Sequence, residues 1–425
     1  MTHTTAGLGT VLNHVGEHDD GRFSHTMPIY QTSTFGFLDA ADAGNVLSSK
    51  TSGRYVYTRG GNPNAHQLAR KIARLEAADL IAAAPDRNPD EIAGAEITAS
   101  GLAAIVTLAG ALLQAGDTAI VQRAIYGGAL GFWEAVAPRQ GIKVVFVETA
   151  DISDWEAAAA ANPEAKLFYI ESPSTPLLHS YDITRIAAVA HTIGARIAVD
   201  NTAATPCHQR PLTLGADYVI ISTTKYMNGH GTQIGGAIVS RDATETEVGG
   251  RIWTAASIQG GTPSPMDCWL TNNGLKTLEL RMARHSANAA LIADYLAAHP
   301  AVERVYYPGL ASTPGHDVAR TQMFGGFSGL LSFKLLGGQK TVFDFMRKLR
   351  LPIIASSFGT TDTLVQHPWS MSHSYMTDAQ KAAVGITDGL VRMSVGIETA
   401  SDLLADVENA LRVSPMTRRA QVSPA

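Results

Sequence analysis

A chain of 425 residues has room for about three domains of ordinary size. With 45% hydrophobic and 17% charged residues, it can bury a sizeable core and is not expected to hold long disordered stretches. Its 33 basic and 38 acidic residues leave a net charge of −5, which excludes a broad electrostatic grip on nucleic acid or anionic lipid. The two cysteines, Cys207 and Cys268, exclude a disulfide framework and a four-cysteine zinc site. The opening segment Met1-Thr-His-Thr-Thr-Ala-Gly7 lacks the basic and apolar parts of a secretory signal. No uncharged apolar run reaches the ~20 residues that span a bilayer, so a cytoplasmic, reducing compartment is expected.

Residues 1–62 are polar and rich in Gly and Thr, with little periodicity, and read as an extended arm. An arm without a core of its own is expected to pack on a neighbouring subunit. From 63 to 270 helical patterns alternate with short apolar runs. Leu68, Ile72 and Leu75 fall on one face of a helix, and the polar stretch 85–94 reads as a surface loop. Four runs read as strands buried on both faces: Ala119-Ile-Val, Leu167-Phe-Tyr-Ile, Ile197-Ala-Val and Tyr218-Val-Ile-Ile. Helix-length segments such as 183–193 separate the last three. Such alternation predicts an α/β fold with a mostly parallel sheet sandwiched by helices. Residues 271–412 open with a long helical pattern carrying Leu275, Leu278 and Met282, and lead into a smaller α+β domain. The tail 413–425 reads as flexible.

Parallel sheets place ligands at the carboxyl ends of their strands, so the polar residues that follow these runs are the candidates. They are Glu171-Ser-Pro-Ser174, Asp200-Asn-Thr202 and Ser222-Thr-Thr-Lys225. A lysine flush against an apolar strand either snorkels to solvent or, with its pKa lowered by burial, attacks an aldehyde to form a Schiff base. Pyridoxal phosphate requires such a lysine, a carboxylate for its ring nitrogen and a phosphate cup. Asp200 is the matching carboxylate, although an Asp after a strand is also a common turn residue. Ser222, Thr224 and the helix start at Ser100-Gly101-Leu102 supply hydroxyls and free amides for a phosphate. Tyr57-Thr-Arg59 in the arm offers a further charge. The glycine pattern Gly229-His-Gly231-Thr-Gln-Ile-Gly235 resembles a dinucleotide loop but lacks the strand-to-helix context that motif needs.

Together the stretches Tyr57-Thr-Arg59-Gly-Gly-Asn-Pro63, Ser100-Gly101, Tyr126-Gly-Gly128, Asp200-Asn-Thr202, Ser222-Thr-Thr-Lys225-Tyr-Met-Asn-Gly-His-Gly231, Gly274-Leu-Lys-Thr-Leu278 and Gly389-Leu-Val-Arg392-Met-Ser-Val-Gly-Ile-Glu398 resemble the Cys/Met-metabolism (transsulfuration) family of pyridoxal-phosphate enzymes. That group includes methionine γ-lyase, cystathionine γ-lyase and γ-synthase, and O-acylhomoserine sulfhydrylases. The resemblance runs from about His25 to Leu411. It implies the aspartate-aminotransferase-like fold (type I) in homotetramers of two tight dimers. It further implies Lys225 as the imine-forming and catalytic lysine, Asp200 as the ring-nitrogen partner, and Ser222, Thr224, Gly101 and the Leu102 amide as the phosphate cup. Tyr57 and Arg59 would reach that phosphate from the neighbouring subunit. Tyr126 would stack on the ring and donate a proton, and Arg392, helped by Ser357, would clamp the substrate carboxylate. No metal is implied.

The chain departs from the family pattern at several positions. Ser174 or Thr175 stands where Asn is usual, Gly128 where methionine γ-lyases carry Cys, Trp369 where a small residue is usual, and Thr232 where many relatives have Asp. The expected activity is a Cγ–heteroatom lyase acting on a homoserine-type or sulfur amino acid through quinonoid and vinylglycine-type intermediates. The alternatives are γ-replacement on an O-acylhomoserine and a non-catalytic homologue that binds the cofactor; the intact set Lys225, Asp200, Arg392 and Tyr126 argues against the last.

Overall fold

The computed structural model describes residues 6–412 except 18, 49–52 and 375; the expected tail, 413–425, lies outside the described residues. Seven strands form the first sheet: β1 Gly94–Thr98, β2 Thr118–Gln122, β3 Lys143–Val147, β4 Leu167–Glu171, β5 Arg196–Asp200, β6 Tyr218–Ile221 and β7 Gly236–Ser240. Their order is β1-β7-β6-β5-β4-β2-β3, parallel except for β7, which pairs antiparallel with both neighbours. The four apolar runs are the adjacent central strands β2, β4, β5 and β6, and helices cover both faces of them. That is why they lack the alternation of a half-exposed strand. The edge strands β1 and β3 are only half-buried over much of their length, which mutes their apolar signal.

A second sheet follows, with β8 Val302–Tyr306, β9 Leu330–Leu335, β10 Ile353–Ile354, β11 Leu364–Gln366 and β12 Leu390–Ser394 in the order β10-β11-β12-β9-β8. Its pairings are antiparallel apart from β10 with β11. One apolar cluster joins the two sheets, running from Ile97, Val219 and Ala237 through Leu68, Ile72, Leu275, Leu278 and Met282 to Leu330, Phe333 and Val391. The long pattern after 271 divides into two helices, Pro265–Leu275 and Leu278–Ala298. Among the described residues no helix is long and apolar enough to cross a membrane.

Within the stretch read as an extended arm, Leu8–His14 forms a helix whose Leu12 is fully buried in the shared cluster. Its two turns are too short to show periodicity, and one buried side chain anchors them. A buried ion pair fastens the segment that follows. Glu17 accepts from Lys71 Nζ at 2.6 Å, with side-chain exposures of 3% and 0%, and Lys276 Nζ lies 3.4 Å from its other oxygen. Removing Glu17 strands Lys71 in the core, so Glu17→Ala should destabilise the chain by about 3–5 kcal/mol in urea unfolding. The double change Glu17→Leu, Lys71→Met should recover most of that loss. A single-variant loss no larger than that of an exposed salt bridge would show that the pair does not anchor the arm.

Candidate active site

The chain moves outward from β2 to β3, then returns to lay β4 on the other side of β2. Strand order therefore reverses between β2 and β4, which opens a crevice at their carboxyl ends. Tyr126 follows β2, Glu171 ends β4, Asp200 ends β5, and the turn carrying Lys225 follows β6.

Asp200 is buried. Its Oδ1 accepts the Thr202 amide at 2.9 Å and its Oδ2 accepts the Tyr169 hydroxyl at 3.4 Å, and among the described residues it has no basic partner. Burial pushes its carboxyl up. Glu171 stands beside it in register, pushed up to about 8 by burial and then by the Asp200 charge. Two neighbouring buried carboxylates disfavour joint ionisation unless a cation arrives. Glu171 Oε2 accepts the Tyr126 amide at 2.6 Å, while its Oε1 accepts the amide and hydroxyl of Thr175 at 2.6 and 2.8 Å. Sequence reasoning gave Glu171 no role. The available signal was a charged residue closing a strand buried on both faces.

Lys225 Nζ donates to Ser357 Oγ at 2.7 Å and lies 5.1 Å from the centre of the Phe358 ring. Burial, reinforced by the nearby Arg392 guanidinium, lowers the Lys225 pKa to about 8. Arg392, on β12, donates from Nη2 to the Ser357 carbonyl at 2.7 Å. With its amide oxygen turned toward the guanidinium, Gln366 sets that oxygen 3.1, 3.2 and 3.1 Å from Nε, Nη1 and Nη2. Burial lowers Arg392 to about 10, so it stays cationic at neutral pH. Among the described residues no carboxylate forms an ion pair with either cation. A single residue, Ser357, thus joins a lysine of the first sheet to an arginine of the second.

The helix Gly101–Leu112 begins against the Lys225 turn. A Cβ on Gly101 would sit 2.7 Å from the Ser222 Cβ, so only glycine allows this approach. The Ser100 hydroxyl caps the Ala103 amide at 3.0 Å, which leaves the earlier amides of the helix without intrahelical acceptors. The Ser222 amide donates to Thr202 Oγ1 at 2.8 Å, and Thr224 Oγ1 accepts the Gly235 amide at 3.0 Å. Helix start, Ser222 and the Asp200 turn therefore form one rigid cup. Leu102 lies at its rim, 39% exposed.

Tyr126 is half-exposed and its ring lies over Gly128, where a Cβ would come within 2.6 Å of Cε1. Tyr57 and Arg59 are not joined to this group in the single chain. Arg59 Nη1 donates to the Ser257 carbonyl at 2.8 Å and its guanidinium lies 5.6 Å from the Tyr57 ring centre. Trp369 packs with Leu177, Ile386 and Leu390 in a small cluster and carries Lys381 Nζ over its ring. Thr232 bonds within its own loop, accepting from Asn228 Nδ2 at 3.2 Å. Among the described residues there is no cluster of three metal-ligating side chains.

A lysine poised near pH 8 is mostly ammonium below that value and mostly free amine above it. Capture of pyridoxal phosphate by the cofactor-stripped chain should therefore rise about tenfold per pH unit on the acid side and level off above about 8. Borohydride reduction with peptide mass measurement checks this; a plateau reached only near pH 10 would show an unperturbed lysine.

The family model for Cys/Met metabolism PLP-dependent enzymes matches residues 9–412. The chain is 39% identical over 406 residues to an L-methionine gamma-lyase of Fusobacterium nucleatum, covering 95% of this chain and 98% of that protein. It is 38% identical over 406 residues to an O-succinylhomoserine sulfhydrylase of Pseudomonas aeruginosa, covering 96% and 95%. Among solved structures, cystathionine gamma synthase from Xanthomonas oryzae pv. oryzae, in complex with aminoacrylate and cysteine, superposes with a TM-score of 0.86 at 38% identity over 96% of this chain and 98% of that one. The expected fold, α/β of the type I class, and the expected cofactor, pyridoxal 5'-phosphate, are borne out. The chain belongs to the Cys/Met metabolism family of PLP-dependent enzymes.

Proposed function

We propose that this enzyme is a Cγ–heteroatom lyase acting on a homoserine-type or sulfur amino acid, with Lys225, Asp200 and Arg392 at its centre. The observation that carries this reading is a complementary set of unpaired charges. Among the described residues Asp200 is a buried carboxylate with no basic partner, Arg392 is a buried cation that feels the Glu171 charge but forms no ion pair, and Lys225 beside Arg392 is an amine softened by burial. The donor set suits pyridoxal phosphate and an amino acid together. Asp200 would hold the proton on the ring nitrogen, Lys225 would bond the aldehyde, and Ser222, Thr224, Gly101 and the Leu102 amide would cradle the phosphate. Tyr126 would stack on the ring.

When bound, the cofactor supplies the electron sink that makes loss of a proton at Cα feasible. The chain supplies the rest. Arg392 meets the substrate carboxylate with a two-pronged guanidinium, a geometry that lysine does not reproduce. Gln366 and the Ser357 carbonyl fix the plane of that fork. Lys225 Nζ, in its free-amine form, takes the proton from Cα, and Ser357 Oγ keeps it on that side of the site. Loss of a second proton, at Cβ, frees the electron pair that expels the group at Cγ, and the Tyr126 hydroxyl protonates that group as it leaves. Reprotonation at Cγ and addition of one water then give a 2-oxo acid and ammonia.

The second outcome is replacement at Cγ by an incoming nucleophile, on an O-acylhomoserine. It is favoured by the likeness to synthases and by Gly128, which leaves the Tyr126 ring in place of a reactive side chain. Incubating purified enzyme with candidate amino acids, with and without sulfide or cysteine, separates the two. Formation of 2-oxo acid in the absence of nucleophile supports the lyase; a new thiol (from sulfide) or thioether (from cysteine) without 2-oxo acid overturns it.

Arg392→Ala should lower substrate affinity far more than cofactor retention. Loss of one partner at a desolvated charge pair costs about 3–5 kcal/mol, or roughly two to four powers of ten. An unchanged KM would overturn the clamp. We also propose a homotetramer whose arms reach across subunits, so that Tyr57 and Arg59 serve the partner's phosphate. The arm leaves Phe23 and Leu38 88% and 89% exposed in the single chain, which fits a covering neighbour. Mixing an Arg59→Ala chain with a Lys225→Ala chain should restore part of the activity. No recovery, with hybrid formation verified, would place each site within one chain.

A further inference from the structure

Three features behind Lys225 are unexplained by the chemistry above: the motif Gly274-Leu-Lys-Thr-Leu278, a buried arginine, and a set of glycines closing on one turn. Arg281 is 4% exposed and has no carboxylate partner among the described residues. Instead its guanidinium is spent on main-chain oxygens. Nη1 donates to the Tyr226 carbonyl at 2.7 Å, Nη2 to the Gly274 carbonyl at 2.7 Å and toward that of Met227 at 3.5 Å, and Nε to Thr277 Oγ1 at 3.1 Å. Tyr226 and Met227 are the two residues directly after Lys225.

Neither helix preference nor the core accounts for this arginine. It lies in the first turn of the helix Leu278–Ala298, where the helix dipole disfavours a cation, and burial lowers its pKa to about 10. A buried charge without a counter-ion persists when its hydrogen bonds are all made. Here the planar fork meets three carbonyls and a hydroxyl at once.

The glycines complete the clamp. A Cβ on Gly274 would collide with the Asn228 carbonyl, and one on Gly229, at φ +73°, would collide with the guanidinium itself. From the second sheet's side, a Cβ on Gly359 would lie 2.6 Å from the Tyr226 amide and 3.1 Å from the Lys225 carbonyl carbon. The main chain from Lys225 to Gly229 is therefore gripped beneath by Arg281 and Gly274 and above by Gly359.

We propose that Arg281 is the positioning residue for Lys225, holding the backbone of its turn so that Nζ stands at Ser357 Oγ, where an aldehyde is captured. The inference rests on the assignment of Lys225 to the cofactor. Arg281 touches no reacting atom; it acts through the turn. A lysine at this position keeps the charge but reaches fewer of the four acceptors.

The full-length chain, stripped of cofactor, is mixed with pyridoxal phosphate, and borohydride-trapped label at the Lys225 peptide is followed with time by mass. Thermal midpoints are measured in parallel. At a temperature below the midpoint of every variant, Arg281→Lys should slow capture about tenfold, and Arg281→Met should slow it about 10²-fold, the loss expected for a displacement of about 1 Å. Thr277→Val, which removes the Nε acceptor together with the 3.3 Å hydrogen bond from Thr277 Oγ1 to the Gly274 carbonyl, should slow capture about threefold and provides the reading if Arg281→Met fails to fold. Capture at the parent rate in both Arg281→Lys and Thr277→Val, whatever their midpoints, reduces Arg281 to a structural residue and overturns the inference. Label absent from Lys225 in the parent chain overturns the lysine assignment itself, a result visible before any variant is made.

Discussion

A half-buried lysine and a buried arginine meet at one serine. Lys225 gives a hydrogen to the Ser357 side chain, and Arg392 gives one to its carbonyl. Like charges brought this close in a desolvated crevice repel, and each is held here by a neutral oxygen of Ser357. The same logic governs the opposite wall, where Asp200 and Glu171 stand side by side and, among the described residues, neither forms an ion pair. Folding alone would be better served by pairing these groups or by apolar residues in their place. On the proposed function, their separation would let the crevice receive a molecule that carries both signs.

The position of that crevice follows from strand order. The first sheet presents Asp200, Glu171 and Lys225 from adjacent strand ends, while the second presents Arg392 and, through Ser357, the contact that joins them. The apolar cluster shared by both sheets fixes one against the other. Without that common core, the distance from Lys225 to Arg392 would depend on how two independent bodies happened to sit.

The central strands were legible because both their faces are buried, so Ala119–Val121, Leu167–Ile170, Ile197–Val199 and Tyr218–Ile221 are apolar without a break. Strand-end chemistry then exposed Lys225 and Asp200. The half-buried edges β1 and β3 carried no such signal, and the single buried Leu12 gave no period to its short helix. What sequence could not show were the contacts between residues far apart in the chain. Glu171 bonding the Tyr126 amide, Gly101 against Ser222, and Arg281 beneath the Lys225 turn all depend on approach across the fold. A motif such as Gly274-Leu-Lys-Thr-Leu278 has meaning only once its partner carbonyl is known.

The choice of a hydroxyl at position 357 has one more effect. An ammonium offers hydrogens and a free amine offers a lone pair, and a serine oxygen can answer either by rotating its own hydrogen. Ser357 Oγ can therefore follow Lys225 through gain and loss of a proton without any heavy atom moving. A carbonyl or carboxylate there would favour only the charged form and would raise the basicity that burial has lowered. The hydroxyl leaves the lysine free to change state.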